Sequence, residues 1–319
     1  MPAVKQQTVG FDYQKNMAAS LSEEIKGFLL HLKAAGRAKS TIDCYKHSLV
    51  QLAEIIGNLK MNEISARDLE YAVVRLAGLS DTVSIRSTAM NRIKSAYRSF
   101  FKWSAELGHI HSNPAVRLLL ATVNSKPTVP ITRQEIGILL NTIRKSEDTH
   151  ALRDEALFAT YAFTGIRRSE ALSLKVCDYD PISALLFLPQ TKRGYKRLQP
   201  VPARLAEILE VYIKNSCNAG SSDSLPMFSG RTPSIPLSNR QVQYRFMRWR
   251  KLAGIRKKLT IHSFRAGFAK QLYQNTNDLL LVSQVMGHRD ISTTKRYVGP
   301  ADVGRIKNAL EILTSGLYI

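Results

Sequence analysis

Six residues in the second half of the chain have side chains suited to breaking a phosphodiester bond. During such a reaction the non-bridging oxygens gain negative charge, which guanidinium groups in a fixed geometry stabilise. A nucleophile must attack the phosphorus in line, and the leaving sugar oxygen needs a proton. The candidates, in chain order, are Arg167, Lys192, His262, Arg265, His288 and Tyr297.

The residue types suggest a role for each position. Arg167 and Arg265 fit the stabilisation of the phosphate. Tyr297 fits the nucleophile, because nearby cations lower the pKa of a phenol, which is ordinarily about 10. Lys192 falls on a predicted hairpin turn and fits the general acid, with Lys196 as an alternative.

Two histidines and a carboxylate complete the predicted site. His262 lies three residues before Arg265, a spacing that puts both on one face of a helix so that they can address one phosphate. His288 fits a further donor to that phosphate, and Glu170, one helical turn after Arg167, fits a carboxylate that orients an arginine or a histidine. Each residue alone is more often an ordinary surface or core residue, so the prediction depends on their occurring together in this order.

The charge balance favours a polyanionic partner. The chain contains 46 Lys and Arg against 25 Asp and Glu, a formal net charge of +21, and such an excess promotes salt-sensitive association with nucleic acid. A membrane surface is less favoured, because no apolar run approaches the roughly 18 to 20 residues that span a bilayer and the polar opening Met1–Gln7 is no signal peptide. Three scattered cysteines suit a reducing compartment, so we expect a cytoplasmic, nucleoid-associated protein.

One predicted helix, from about Thr82 to Leu107, has a basic stripe. No acidic residue lies between Thr82 and Ala105. A solvated surface is the ordinary interpretation of such a stripe, but the missing counter-charges favour a face that contacts DNA phosphates. The candidate DNA-binding residues are Arg86, Arg92, Lys94, Arg98 and Lys102.

The hydrophobic periodicity predicts a mainly α protein with two domains. A flexible polar tail is predicted over residues 1–16 and a helical DNA-binding domain over 17–112. A Pro-containing linker over 113–131 leads to a catalytic domain over 132–319. The apolar content of 44% is ample for globular packing.

Local signals place the individual elements. Ser20 and Thr132 open capping boxes, and Ser40 is predicted to cap the second helix. In the catalytic domain two short strands, 184–188 and 197–201, flank a polar turn. The helices of this domain are predicted near 132–145, 151–164, 170–174, 203–215, 239–252, 262–275, 278–286, 293–297 and 301–313.

Four segments resemble the motifs of the tyrosine recombinases, also called the phage integrase family. Thr164–Glu170 resembles the motif of the first arginine, and Lys192 resembles the catalytic lysine of a β-hairpin. His262–Arg265 resembles the His-x-x-Arg motif, and Gly287–Tyr297 resembles the closing motif with the nucleophile. The resemblance extends over about residues 17–300, and the motifs together are highly specific.

The resemblance implies a fold and a reaction. A small helical core-binding domain, which is SAM-like, and a mostly helical catalytic domain with a small β-sheet would grip opposite sides of a DNA duplex. Tyr297 would form a 3′-phosphotyrosyl bond and release a 5′-hydroxyl, and strand exchange would pass through a Holliday junction. No metal, ATP or other cofactor is implied, since the phosphotyrosine keeps the bond energy.

The resemblance also implies an assembly. Family members act as homotetramers on double-stranded DNA with inverted-repeat half-sites, and we expect the same here. Residues 301–319, with apolar side chains at helical spacing, are expected to dock either on a neighbouring subunit or on their own domain.

The chain departs from the family pattern at two positions. Ala266 follows the second arginine, where Xer-type members usually have histidine, so this motif is nearer to Cre-like enzymes. Gly299 stands two residues after the tyrosine, where many relatives have histidine. Neither change removes a catalytic group. Two alternative functions stay open, namely a catalytically silent DNA-binding regulator of the same fold and a type IB topoisomerase-like enzyme, which shares the chemistry but needs no site preference.

Overall fold

The computed structural model describes residues 19–78, 87–122, 128–188, 197–216 and 224–288, together with residues 290 and 294. The chain divides into two compact units, Met1–Ser125 and Lys126–Ile319, each with its own hydrophobic core. Among the described residues, no helix combines the length and the apolarity that crossing a membrane requires. The predicted polar tail, the turn at 190–196 and the helices at 293–297 and 301–313 lie at least partly outside the described residues.

The first unit is helical because its apolar residues recur once per helical turn. Ser20 and Glu23 form the predicted capping box at the start of its first helix. The second helix begins at Lys39, with Ala38 at the N-cap and no side-chain cap, so the prediction that Ser40 caps it is wrong. The described helices of this unit are α1 (Leu21–Ala34), α2 (Lys39–Ile56), α3 (Ala66–Gly78) and α4 (Ser87–Glu106), with 3-10 turns at Met61–Glu63 and Pro114–Arg117.

Part of the predicted linker belongs to the cores of the two units. Ala115 and Leu118 are buried in the first unit, in and beside its second 3-10 turn. Ile131 is buried in the second unit, where its backbone N–H donates to the carbonyl of Ser263. Because these residues are apolar, they pack into the two cores and are not part of a solvated linker. The boundaries given above for the two domains stay a prediction.

The second unit combines a helical core with a small antiparallel sheet, in the strand order β1–β2–β3. Leu188 pairs with Arg197, and Leu185 pairs with Pro200. Ala184 lies in the preceding turn at a φ of 50°, so the second strand begins one residue later than predicted. The described elements are α5 (Arg133–Arg144), α6 (Ala151–Thr164), α7 (Arg168–Ser173), β1 (Tyr179–Asp180), β2 (Leu185–Leu188), β3 (Arg197–Pro200), α8 (Ala203–Ser216), α9 (Asn239–Leu252), α10 (Ile261–Thr276) and α11 (Leu279–Val285), with a 3-10 turn at Val176–Asp178.

Aromatic contacts join three helices at the centre of the second unit. Phe158 of α6 stacks on Phe264 of α10, with ring centroids 6.0 Å apart. Phe246 of α9 meets Phe264 edge-on at 5.3 Å. Aromatic pairs of this kind contribute about 0.5 to 1.5 kcal/mol beyond their burial. Because Phe264 immediately precedes Arg265, this packing fixes the start of α10 and the orientation of its arginine.

A charged network also joins α9 to α6. Asp154 is fully buried and accepts a hydrogen bond from the Trp249 indole Nε1 at 2.7 Å. Arg245 bridges Asp154 and Asp148, donating to Asp148 Oδ1 at 2.7 Å. Because Arg245 donates to it, the pKa of Asp148 is lowered to about 2. A buried carboxylate is stable only with such partners, so the network fixes the position of α9.

Candidate active site

Arg167 lies at the junction of α6 and α7. α6 ends at Gly165, which adopts a left-handed conformation with a φ of 60°. A Cβ at Gly165 would lie 2.3 Å from the Phe268 ring, so both the conformation and the space require glycine. Arg167 is the N-cap of α7, and its Nη2 donates to the carbonyl of Gly287 at 3.1 Å.

Glu170 holds Arg167 from the first turn of α7. Arg167 Nη1 donates to Glu170 Oε1 at 2.7 Å, and the Arg167 backbone N–H donates to Oε2 at 2.7 Å. Glu170 is only 5% exposed. Burial raises the pKa of Glu170, but the hydrogen bonds from Arg167 and the charge of Arg197 outweigh it, so the pKa lies below its usual value. The carboxylate is therefore ionised and fixes the guanidinium.

Arg265 lies in the first turns of α10 and is only 3% exposed. Its Nη1 donates to the carbonyl of Gly165 at 2.6 Å, and its Nη2 donates to the carbonyl of Met286 at 2.6 Å. The same Nη2 lies 2.7 Å from His288 Nε2. Arg265 therefore connects the end of α6 to the turn that follows α11.

The contacts of His288 define its protonation state. A guanidinium has donors only, so His288 Nε2 accepts from Arg265, and Nδ1 carries the proton that it shares with Thr294 Oγ1 at 2.8 Å. Burial and then the charges of Arg265 and Arg167 lower the pKa of His288 to about 4. His288 is therefore neutral at pH 7. In this arrangement its Nε2 orients Arg265 instead of donating to a phosphate, which differs from the role predicted above.

His262 lines a cleft of about 360 Å³ together with Arg167 and Arg168. Burial and then the charge of Arg265, followed by Arg168 and Arg167, lower the pKa of His262. The imidazole is therefore neutral at pH 7, with one nitrogen able to donate and the other able to accept. Two polar residues of α9, Asn239 and Gln243, also line the cleft.

The structure brings together four of the six predicted catalytic residues. Arg167, Arg265 and His288 share the turn after α11, and His262 lies on the same cleft as Arg167. Lys192 and Tyr297 lie outside the described residues. In the described part of the chain there is no group of three or more His, Cys, Asp or Glu residues that could hold a metal ion.

Sequence reasoning missed two members of this cluster. Arg197 was assigned only to a strand, but its side chain reaches Glu170 and the carbonyl of Val285 at the end of α11. Thr294 is fully buried against His288. Neither residue has a local pattern that separates it from an ordinary basic or polar residue, because each contact spans an intervening part of the fold.

The basic stripe of the first unit has a mixed environment. Arg92 and Arg98 are exposed on α4. The Lys94 ammonium donates to the carbonyl of Leu119 at 2.8 Å. Lys102 lies 3.6 Å from Glu106. Two cations of the stripe therefore already have partners within the unit, and Arg86 lies outside the described residues.

In this mostly helical unit, Arg167 and Arg265 meet at the turn after α11, and Arg167 and His262 line one cleft. A family model, the phage integrase family, matches residues 130–302, more than half of the chain. The chain belongs to the phage integrase family, and the resemblance found in its motifs is confirmed.

Individual relatives are similar to the chain over most of its length. Tyrosine recombinase XerC of Chromobacterium violaceum is 28% identical over 279 residues, covering 87% of this chain and 90% of the relative. Tyrosine recombinase XerC of Treponema denticola is 29% identical over 281 residues, covering 81% and 88%.

Solved structures confirm the predicted fold class. The Tn1549 transposon integrase in complex with circular intermediate DNA superposes with a TM-score of 0.71 at 18% identity, covering 92% of this chain and 99% of that one. A lambda integrase dimer bound to a COC′ core site superposes with a TM-score of 0.68 at 17% identity, covering 94% and 85%. The predicted mainly α, two-domain architecture is therefore correct.

Proposed function

We propose that the protein is a tyrosine site-specific recombinase that cleaves and rejoins double-stranded DNA. Membership in the phage integrase family supports the reaction class. The observation that carries the proposal is the convergence of two distant arginines, Arg167 and Arg265, on the neighbouring carbonyls of Gly287 and Met286. Two guanidiniums fixed in this way form a cationic pocket for one phosphate.

The cleavage step follows from the residue types. The Tyr297 hydroxyl gives its proton to water and attacks the scissile phosphorus, forming a 3′-phosphotyrosyl bond while the bond to the 5′-oxygen breaks. Lys192 supplies the proton to that leaving oxygen. Rejoining is the reverse reaction, in which the 5′-hydroxyl of a partner duplex attacks the phosphotyrosine and releases Tyr297. The bond energy is conserved, so the exchange requires no cofactor.

The described residues divide the stabilisation of the phosphate between them. Arg167 is suited to direct contact, because its side chain is 35% exposed and lines the cleft. His262, neutral and on the same cleft, is suited to donate to a phosphate oxygen. Arg265 is buried, and His288 orients it. Removing one preorganised donor of this type ordinarily costs about 10²- to 10³-fold in rate.

DNA is the proposed partner, bound as inverted-repeat half-sites by a homotetramer that passes through a Holliday junction. The net charge of +21 supports a polyanionic ligand. A Tn1549 transposon integrase and a lambda integrase of similar fold are both described in complexes with DNA. The docking of residues 301–319, in trans or in cis, and the cytoplasmic, nucleoid-associated location stay predictions.

The proposal is tested with a nicked suicide duplex, from which the cleaved strand diffuses away. The duplex carries the DNA segment that the purified protein protects from nuclease digestion. We expect a covalent protein–DNA adduct that survives denaturing electrophoresis. Binding without an adduct would instead support the catalytically silent regulator.

The topoisomerase alternative has its own test. A type IB topoisomerase relaxes supercoiled plasmids that lack any recognition site. A site-specific recombinase is expected to leave such plasmids supercoiled while forming the adduct on the protected segment. Efficient relaxation without the site would favour the topoisomerase.

A further inference from the structure

The last residue of α11 and the turn after it accept hydrogen bonds from three arginines. The carbonyls of Val285, Met286 and Gly287 are consecutive, and each accepts from a different guanidinium. The donors are Arg197 Nη1 at 2.6 Å, Arg265 Nη2 at 2.6 Å and Arg167 Nη2 at 3.1 Å, in the same order. Carbonyls at the end of a helix lack intrahelical donors and carry partial negative charge, so they are natural partners for cations.

Arg197 is the member of this trio to which the proposed reaction gives no role. It begins β3 and pairs with Leu188 of β2. Its side chain is 20% exposed, whereas that of Arg167 is 35% exposed. A Cβ at Gly287 would lie 2.7 Å from Arg197 Nη1, so the guanidinium packs directly against the backbone of that glycine.

A second contact connects Arg197 to Arg167 through Glu170. Arg197 Nη2 lies 3.4 Å from Glu170 Oε2, the oxygen that also accepts the backbone N–H of Arg167. One buried carboxylate is thus held between two guanidiniums, that of Arg197 at the start of β3 and that of Arg167 at the N-cap of α7. Removing a partner from such a buried charged group leaves it incompletely compensated, and Glu170 then has freedom to move with Arg167.

We propose that Arg197 is a positioning residue that sets the pose of Arg167 through Glu170 and fixes the turn that carries His288. It acts without touching the scissile phosphate. This inference rests on the proposed function, since it assumes that Arg167 stabilises the phosphate. It gives β3 a role in the site that is separate from the role predicted for Lys192.

The test uses variants of Arg197 on three nicked duplexes built on the protected DNA segment. One duplex has an ordinary scissile phosphodiester. The second has a methylphosphonate at that position, which is neutral and needs little stabilisation by guanidinium. The third has a 5′-bridging sulfur, whose thiolate leaves without a general acid. Reference variants are Arg167→Ala for the phosphate and Lys192→Ala for the leaving group.

On the ordinary duplex we expect Arg197→Ala to slow adduct formation by about 10- to 100-fold, less than the loss of a direct donor. On the methylphosphonate the rate deficit of Arg197→Ala should shrink to about 3-fold or less, and that of Arg167→Ala should shrink in the same way. On the bridging phosphorothioate the rate deficit of Arg197→Ala should persist, whereas Lys192→Ala should form the adduct at nearly the native rate. Arg197→Lys should show the same substrate pattern with a smaller deficit, because one ammonium cannot hold Glu170 and the Val285 carbonyl in the fork geometry of arginine.

A matched control distinguishes the specific role of Arg197 from the loss of one positive charge. Arg204 lies in α8, its side chain is 60% exposed, and it pairs with Glu207 on the same helix. Arg204→Ala should form the adduct at a rate within about 2-fold of the native rate on all three duplexes, since exposed ion pairs contribute little to stability. Half-site binding by Arg197→Ala should also stay within about 3-fold of the native protein.

The remaining outcomes overturn the inference. An equal deficit on all three duplexes would show a general loss of structure, and recovery on the bridging phosphorothioate alone would show that Arg197 acts through the leaving group. Native rates for Arg197→Ala beside a normal native adduct would contradict this inference but not the proposed function. If the native chain itself forms no adduct, the proposed function fails. If Arg197→Ala does not fold, Arg197→Lys decides between the same patterns.

Discussion

Two basic regions of this molecule hold their charge in opposite ways. On α4 of the first unit, Arg92 and Arg98 are exposed to solvent. In the second unit, Arg265 is only 3% exposed and donates to backbone carbonyls. Exposed cations contribute affinity that is screened by salt. Buried cations held by carbonyls contribute little to long-range attraction. Because their orientation is fixed, they are suited to stabilise the charge that develops in a transition state.

The difference shows how one positive charge can serve two purposes. A flexible arginine adapts to any phosphate along a duplex, which suits binding. A guanidinium fixed by Gly165, Met286 and His288 keeps one direction, which suits the stabilisation of charge at a single position. Mutations in the first region should therefore change DNA affinity, and mutations in the second should change the rate of adduct formation. Of the four predictions that follow, the first and the last test that division.

The largest effect is expected at Arg265. Arg265→Ala should lower the rate of adduct formation by about 10²- to 10³-fold, because a preorganised donor to the phosphate is lost. Binding to a half-site, measured by gel shift, should change by less than about 3-fold. A loss of binding as large as the loss of rate would contradict the division between the two regions.

The second prediction concerns the rigidity of α10. A Cβ at Gly267 would lie 2.3 Å from the backbone oxygen of Ile131, which has no flexible end that could move aside. Gly267→Ala should destabilise the protein by about 1 to 3 kcal/mol, measured by urea unfolding.

Gly137 provides the matched control. It lies within α5, and a Cβ there would meet nothing within 4 Å. Gly137→Ala should be stabilising by about 0.5 to 1 kcal/mol, because alanine loses less conformational freedom in a helix. Similar effects at both positions would show that the contact between α10 and Ile131 does not constrain the site.

The third prediction concerns pH. The pKa of His288 in the folded protein is about 4, below the ordinary 6.5. The unfolded chain therefore binds more protons between these values, and stability must fall as the pH is lowered from about 6.5 toward 4. The contribution of Asp148, whose pKa is lowered from 3.8 to about 2, is lost only at more acidic pH.

The variant His288→Gln isolates this effect. Glutamine keeps an acceptor for Arg265 but does not titrate. Urea unfolding at pH 7 and pH 5 should show a smaller loss of stability for the variant than for the native protein. Equal losses would mean that His288 does not become protonated on unfolding in this range.

The smallest effect is expected on α4. Arg98→Ala should weaken binding to any duplex by a similar factor and lower the slope of log affinity against log salt by about 1. Adduct formation at saturating DNA should not change. Arg37, exposed in the turn after α1, supplies the control, and an equal change in slope for Arg37→Ala would remove the special role of α4.

The sequence predicted the elements better than the contacts between them. The capping boxes at Ser20 and Thr132 were correct, because side chain and backbone interact within four residues. The prediction for Ser40 was wrong because the N-cap of α2 lies two residues earlier, at Ala38, which has no capping side chain. Local chemistry is therefore predictable when its partners are close in sequence.

The site shows the same limit. The motifs around Arg167 and His262 could be recognised because their residue types recur at fixed spacing. Arg197 could not, since its partners Glu170 and Val285 come from separate elements and meet only in the fold. Nor could the sequence predict that His288 accepts from Arg265, because a histidine pattern does not define a tautomer.

The central claim is that Tyr297 becomes covalently joined to DNA within this cationic pocket. The most direct measurement compares the native protein with Tyr297→Phe on the nicked suicide duplex, followed by mass spectrometry of the peptide that retains the nucleotide. We expect the native adduct to map to Tyr297, and we expect Tyr297→Phe to bind the duplex normally and form none. An adduct of native yield in Tyr297→Phe, or a nucleotide attached to another residue, would contradict the account.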